Sequence, residues 1–231
     1  MAQDTILIQN RYYPKGLTKQ RIEKHYNTYK NYILAELNQK AVVLFVAPTT
    51  NNLIVKRNID GQPIILTKYN YDNLMTNRVV SISVEFGPIT DLWFVDIDPG
   101  KQVNKKDLIN TTTKVVEIFK NLYETGYAKV KQPRVVTTSS GFHVMIKMKD
   151  RSTVKTTQIK IQDLLEKEFK KSELVVVNKR RKREDEIILD LSPLNKRGSR
   201  VVPYSLNRNG LMCIDVSRDW EKWNFDYGVL V

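Results

Sequence analysis

Asp91-Leu-Trp-Phe-Val-Asp-Ile-Asp-Pro-Gly100 is the stretch whose reading decides the fold. Residues 92–97 join aromatic and β-branched side chains in one run, which predicts a buried strand, and Pro99-Gly100 predicts its end. Successive strand side chains point to opposite faces, so Asp96 and Asp98 share one face at the C-terminal end. Two carboxylates on one face repel each other unless a cation sits between them. Oxygen ligands of this kind suit Mg²⁺ or Mn²⁺. A D-x-D pair at a strand end also caps turns, so its meaning depends on the rest of the chain.

The 231 residues, 41% of them hydrophobic, suffice for one large domain or two small lobes with a substantial core. The lone Cys213 excludes an internal disulfide and a cysteine-built zinc site. With only His25 and His143 present, a multi-histidine site is excluded as well, so any bound metal is held mainly by carboxylates and is not zinc. Net charge is +13 with a pI near 9.7, which points to a polyanion, first of all nucleic acid. A basic proteome or a membrane-surface role would also give such a charge, but neither accounts for paired acids on a strand. No apolar run approaches the roughly 18 residues of a membrane span, and the N-terminus lacks a signal-peptide pattern. The expectation is a cytoplasmic, nucleoid-associated protein with no membrane partner.

Working outward, residues 5–14 read as a strand, and Thr18 caps a helix to Leu37 with Ile22, Tyr26, Tyr29, Ile33 and Leu37 on one stripe. Lys19, Arg21 and Lys24 oppose the dipole of its first turns, a conflict that a phosphate would relieve. Strands are expected at 41–47, 52–57, 63–67 and 78–87, with turns at Thr49–Asn52 and Asp60-Gly61. Beyond Gly100, Asn104 caps a helix to Thr125, and Leu108, Val115, Phe119 and Leu122 face inward. Strands 133–138 and 142–148 come next, then a helix over 153–171 carrying Ile161, Leu164, Leu165 and Phe169. Strands 173–177 and 186–191 flank an exposed hairpin loop at 178–184. The order predicts an α+β fold, a split β-α-β plan with one helical layer over a mostly antiparallel sheet.

Asp190 is the third acid. Near the end of the apolar run Glu186-Ile-Ile-Leu-Asp-Leu191, a lone carboxylate is costly unless paired or metal-bound. Beside strand 92–98 it would complete a two-metal constellation; the alternative is a structural bridge to Arg197 or Arg200. Ser139-Ser140-Gly141-Phe142-His143 offers hydroxyls, free backbone N–H groups and an imidazole for phosphate. Equally, His143 would serve as a half-buried strand histidine. No G-x-S-x-G elbow supports a serine hydrolase. Lys196-Arg-Gly-Ser-Arg200 supplies guanidinium forks for phosphate oxygens. The basic loop 179–183 suits a nucleic-acid backbone, with a nuclear-import tag as the alternative.

Taken in order, these pieces resemble the archaeo-eukaryotic primase superfamily. Its D-x-D strand, serine–glycine turn ending in histidine, and later lone aspartate correspond to Asp96/Asp98, Ser139–His143 and Asp190. Within the superfamily the sequence is most similar to the polymerase domain of end-joining ligases, the LigD type. Tyr12-Tyr-Pro-Lys-Gly-Leu-Thr-Lys19 resembles that domain's opening phosphate-binding segment, and Val202-Pro-Tyr-Ser-Leu206 its segment after the third aspartate. Trp220 falls where that domain keeps a late tryptophan. There are departures. The serine turn is shorter and lacks the family's lysine, Asn207 stands where arginine or histidine is usual, and Val84-Glu-Phe-Gly87 lacks the ligase-type histidine.

The resemblance implies one primase-polymerase domain over 1–231, with an N-terminal αβ lobe to about residue 87 and an RRM-like catalytic core over 88–231. It implies template-directed nucleotidyl transfer: a 3′-hydroxyl attacks an incoming NTP or dNTP and pyrophosphate leaves. Asp96, Asp98 and Asp190 would be catalytic, holding two Mn²⁺ or Mg²⁺ ions. Ser139, Ser140, His143, Arg200 and Lys19 would contact nucleotide, and Lys15, Lys179, Arg180, Arg181, Arg197 and Arg208 would contact DNA. The role expected is gap filling in end-joining repair, with a Ku-like protein and a DNA ligase as partners. Alternatives are a de novo primase of a mobile element or virus, partnered by a helicase, a two-metal nuclease, and a non-catalytic nucleic-acid-binding module.

Overall fold

The computed structural model describes residues 17–47, 54–75, 78–138, 140–178, 183–207 and 210–223. The strand expected at 5–14 and the turn at Thr49–Asn52 lie outside the described residues. The chain forms two units. Of the described residues, one holds those up to Glu85 together with Ser199–Ile214; the other holds Phe86–Gly198 and those from Asp215 to Trp223.

In the first unit, helix α1 (Lys19–Leu37) begins where the Thr18 hydroxyl accepts from the Arg21 amide at 3.2 Å, and ends at left-handed Asn38. Ile22, Tyr26, Ile33 and Leu37 are buried as their spacing predicts. They pack with the apolar side chains of β1 (Val42–Val46), β5 (Val79–Glu85) and the buried Leu206. The sheet is antiparallel in the order β11-β5-β1-β2, where β2 is Ile54–Lys56 and β11 is Ser199–Val201. The strand expected at 63–67 is not continuous. Asn58–Ile59 (β3) and Gln62–Pro63 (β4) make a two-residue hairpin around left-handed Asp60 and Gly61, and Ile65 then forms only a bridge to Ala41. Proline without an N–H at position 63 limits the ladder there. The short helix α2 is Tyr71–Met75.

The second unit is built from β6 (Ile89–Pro99), α3 (Lys105–Glu124), β7 (Arg134–Thr137), β8 (Phe142–Thr153), α4 (Val154–Glu168), β9 (Val175–Val177) and β10 (Ile187–Asp190). Its sheet runs β7-β8-β6-β10-β9. Strand β6 continues through Pro99, which lies opposite Ile187, and the Gly100 amide then bonds the Glu186 carbonyl at 2.9 Å. Asn104 caps α3 by accepting from the Asp107 amide at 2.9 Å, as its position predicts. Trp93 meets Phe119 of α3 edge-on, with centroids 6.2 Å apart, and Val95 and Ile97 on that face are fully buried. Phe94, Asp96 and Asp98 therefore point to the opposite face. The Trp220 indole donates to the Thr113 hydroxyl of α3 at 3.3 Å.

The hairpin expected at 173–191 does not form: β9 pairs with β10 in parallel, Val175 opposite Ile187. Strand β10 instead adds antiparallel to β6. At the end of β9, Asn178 turns left-handed (φ 47°) while its amide bonds the Leu189 carbonyl at 2.9 Å. The α+β fold with a mostly antiparallel, RRM-like sheet is as expected.

Candidate active site

Asp96 lies mid-sheet, with His143 of β8 opposite it on one side and Asp190 of β10 on the other. Asp98 follows on the same face. One carboxylate oxygen from each of Asp96, Asp98 and Asp190 lies within 4.8 Å of the others, and all three residues are partly buried. Charges this close repel by about 3 kcal/mol per pair at an effective dielectric of ~20, less where water screens them. The cost is tolerable with a cation among them. Asp96 Oδ1 is buried and accepts no hydrogen bond among the described residues, while His143 Nε2 stands 3.5 Å away. A cluster of hard oxygen donors with a buried oxygen left open fits a divalent ion of the Mg²⁺ or Mn²⁺ kind.

His143 is buried edge-on against Phe94, centroids 4.8 Å apart, which fixes the ring plane. Its Nδ1 has no hydrogen-bond partner among the described residues. Asp190 is held from its own loop: the Ser192 amide donates to Oδ1 at 2.8 Å and the Ser192 hydroxyl to Oδ2 at 2.9 Å. The turn before β8 is closed by the Thr138 amide bonding the Gly141 carbonyl at 2.9 Å and the Gly141 amide bonding the Thr138 hydroxyl at 3.0 Å. A Cβ on Gly141 would collide with the Ile97 carbonyl oxygen, so only glycine lets this turn lie against the strand bearing Asp96 and Asp98. Ser140 is exposed on that turn.

Arg197 is exposed, its amide bonded to Asn195 Oδ1 at 2.9 Å. Lys19 and Arg200 belong to the first unit: Lys19 is exposed and pairs with Glu23 at 3.5 Å, and Arg200 is buried on β11 opposite Val84. Lys15, Ser139, Lys179, Arg180, Arg181 and Arg208 lie outside the described residues. Sequence reading missed Ser192 and Thr138, although D-x-S directly after a strand is a usable sign of a side chain turning back on its backbone. It also missed Arg134, which pairs with Asp215 at 2.6 Å on the acid-bearing face of the sheet. Burial would raise the Asp215 carboxyl, but two bonds from Ser217 and the Arg134 guanidinium outweigh it and hold the group below its ordinary range.

No helix among the described residues is long and apolar enough to cross a membrane. No curated protein matches the chain by sequence. The polymerase domain of Mycobacterium tuberculosis ligase D, solved in complex with DNA, is similar in fold with a TM-score of 0.71. The likeness covers 97% of this chain and 88% of that one at 15% identity. The family model for the LigD primase-polymerase domain matches residues 73–224, a span containing all three acids and His143. A match over this share of the sequence means that the chain belongs to the LigD primase-polymerase domain family, whose chemistry is nucleotidyl transfer.

Proposed function

We propose that this protein is a template-directed primase-polymerase. The 3′-hydroxyl of a bound strand attacks the α-phosphate of an incoming nucleotide, and pyrophosphate leaves. The convergence of Asp96, Asp98 and Asp190 on one sheet face, in a chain of this family, carries the reading. These three carboxylates would hold two Mn²⁺ or Mg²⁺ ions, which when bound lower the pKa of the attacking hydroxyl and neutralise phosphate charge. His143, its ring locked by Phe94 and its Nε2 3.5 Å from Asp96 Oδ1, is the imidazole proposed for a phosphate oxygen. Ser140 offers an exposed hydroxyl on the turn before β8, and Arg200 and Lys19 are the cations proposed for the triphosphate or the DNA. The +13 net charge draws the polyanionic template. Both units are taken as lobes of one domain.

The proposed setting is gap filling at broken DNA ends, supported by the family and by the DNA-bound state of the structural relative. Its product is a nick, so a ligase activity must follow, and an end-holding Ku-like protein is the proposed partner. The test is incorporation of labelled nucleotide with Mn²⁺ on a primed gapped duplex and on an unprimed single strand, with an Asp96→Ala/Asp98→Ala variant as control. Extension of the primer alone is expected. Product on the unprimed strand would move the assignment to de novo priming, and silence on both with DNA binding intact would leave a binding module.

A further inference from the structure

Three tyrosine rings, Tyr29 and Tyr32 of α1 and Tyr204, cluster on the surface of the first unit. Tyr204 stacks on Tyr29, with centroids 5.7 Å apart and planes 15° from parallel, and meets Tyr32 at 5.0 Å. Tyr32 is 59% exposed, so much of its ring is open to a further partner.

The way Tyr204 is held is unusual. The Ser205 amide bonds the Val202 carbonyl at 3.0 Å, closing a turn with Pro203 and Tyr204 at its centre. Tyr204 has φ 67°, in the left-handed region where this turn position ordinarily takes glycine or asparagine. Two long-range bonds fix it there: its amide donates to the Cys213 carbonyl at 2.7 Å, and buried His25 donates from Nε2 to its carbonyl at 2.8 Å. A bulky ring kept where glycine is favoured, and bolted from both sides, is placed for what the ring does. Along α1, Lys24, Thr28 and Tyr32 follow at i, i+4 and i+8, all exposed, so a cation lies about 12 Å along the axis from the open ring.

We propose that the Tyr29–Tyr32–Tyr204 cluster is a stacking platform for an unpaired base of a nucleic-acid strand, with Lys24 on that strand's phosphates. Aromatic faces beside cations bind single strands with little sequence preference, because every base has a π-face. The inference rests on the reading that this chain handles DNA, and it adds a place for a strand outside the acid site.

The test is binding of a short fluorescent oligothymidylate, and of the same backbone without bases, by the full chain and its Tyr32→Ala and Tyr32→Phe variants. Tyr32 is exposed, so neither change should disturb folding. Tyr32→Ala is expected to weaken oligothymidylate binding about tenfold, Tyr32→Phe hardly at all, and the base-free strand to bind wild type and Tyr32→Ala equally. Equal binding of oligothymidylate by wild type and Tyr32→Ala overturns the platform, as does an equal loss on the base-free strand. If wild type extends a gapped primer while Tyr32→Ala binds normally, only the platform fails. If wild type neither binds nor extends, the polymerase reading fails with it.

Discussion

Ser192 donates to both carboxylate oxygens of Asp190, its amide to Oδ1 at 2.8 Å and its hydroxyl to Oδ2 at 2.9 Å. One hydrogen bond per oxygen fixes the rotation of the carboxylate and leaves a lone pair on each oxygen for a cation. Outer-shell partners of this kind typically change metal affinity 10–100-fold. The amide bond survives substitution, so Ser192→Ala should weaken Mn²⁺ binding by about tenfold, the lower end, while Ser192→Thr retains affinity. Calorimetric titration with Mn²⁺ reads this without turnover. Unchanged affinity in Ser192→Ala would show that the hydroxyl orients nothing.

The three acids should reveal themselves through stability as well as activity. Without metal, their mutual repulsion opposes folding, so Asp98→Asn should melt slightly above wild type in chelator. With Mn²⁺ at about a hundred times its Kd, wild type should gain about 2.7 kcal/mol by linkage, and the variant much less. Incorporation should fall by orders of magnitude in the same variant. A wild type whose melting ignores Mn²⁺ would remove the metal reading.

How far the sequence foretold this arrangement depends on whether a feature was local. The cap of α1 at Thr18, the cap of α3 at Asn104 and the D-x-D strand each rest on a few neighbouring residues, and each stands as its pattern predicts. Strand partners are a different matter. Nothing in Val175–Val177 tells whether Ile187–Asp190 returns beside it antiparallel or crosses over to run parallel, because both arrangements bury the same apolar side chains. Likewise, Ser199–Val201 is too short to show a period, and its return to the first unit is set by pairing with β5. The site was legible where chemistry repeats along a strand. Ser192 and Thr138, which act by bonding their own turns, carried only a weak signal.

Two groups should make the fold sensitive to acid. Burial lowers the His25 pKa, with the bond to the Tyr204 carbonyl opposing, so the folded chain favours the neutral ring. A depressed histidine makes the unfolded state bind more protons. Stability should therefore be complete above about pH 6.5 and decline as pH falls from there toward the folded value. Asp215 is also depressed, so its contribution is present above the ordinary aspartate range and lost as pH falls through its lower folded value. Urea midpoints across this range should fall in two stages, and Asp215→Asn should remove most of the second. A midpoint that rises on acidification contradicts both assignments.

The buried bonds around Ser205 set the last expectation. The Ile82 amide donates to the Ser205 hydroxyl at 2.8 Å, and the Tyr26 hydroxyl lies 3.1 Å from the same oxygen while donating to the Val80 carbonyl at 2.9 Å. Burial pushes the Tyr26 pKa far up, so its hydroxyl stays a donor at all working pH values. Ser205 is fully buried, and Ile82 is a β5 residue whose amide is satisfied by this side chain. Ser205→Ala removes the acceptor and leaves the Ile82 N–H buried without a partner, a loss of about 1–3 kcal/mol. Tyr26→Phe keeps the Ile82 bond but abandons the Val80 carbonyl, at a cost of similar size. Because both changes break one network, the double variant should lose less than the sum of the singles. Urea unfolding with an unchanged m-value would read all three, and strict additivity would mean that Tyr26 and Ser205 hold the 202–207 segment independently.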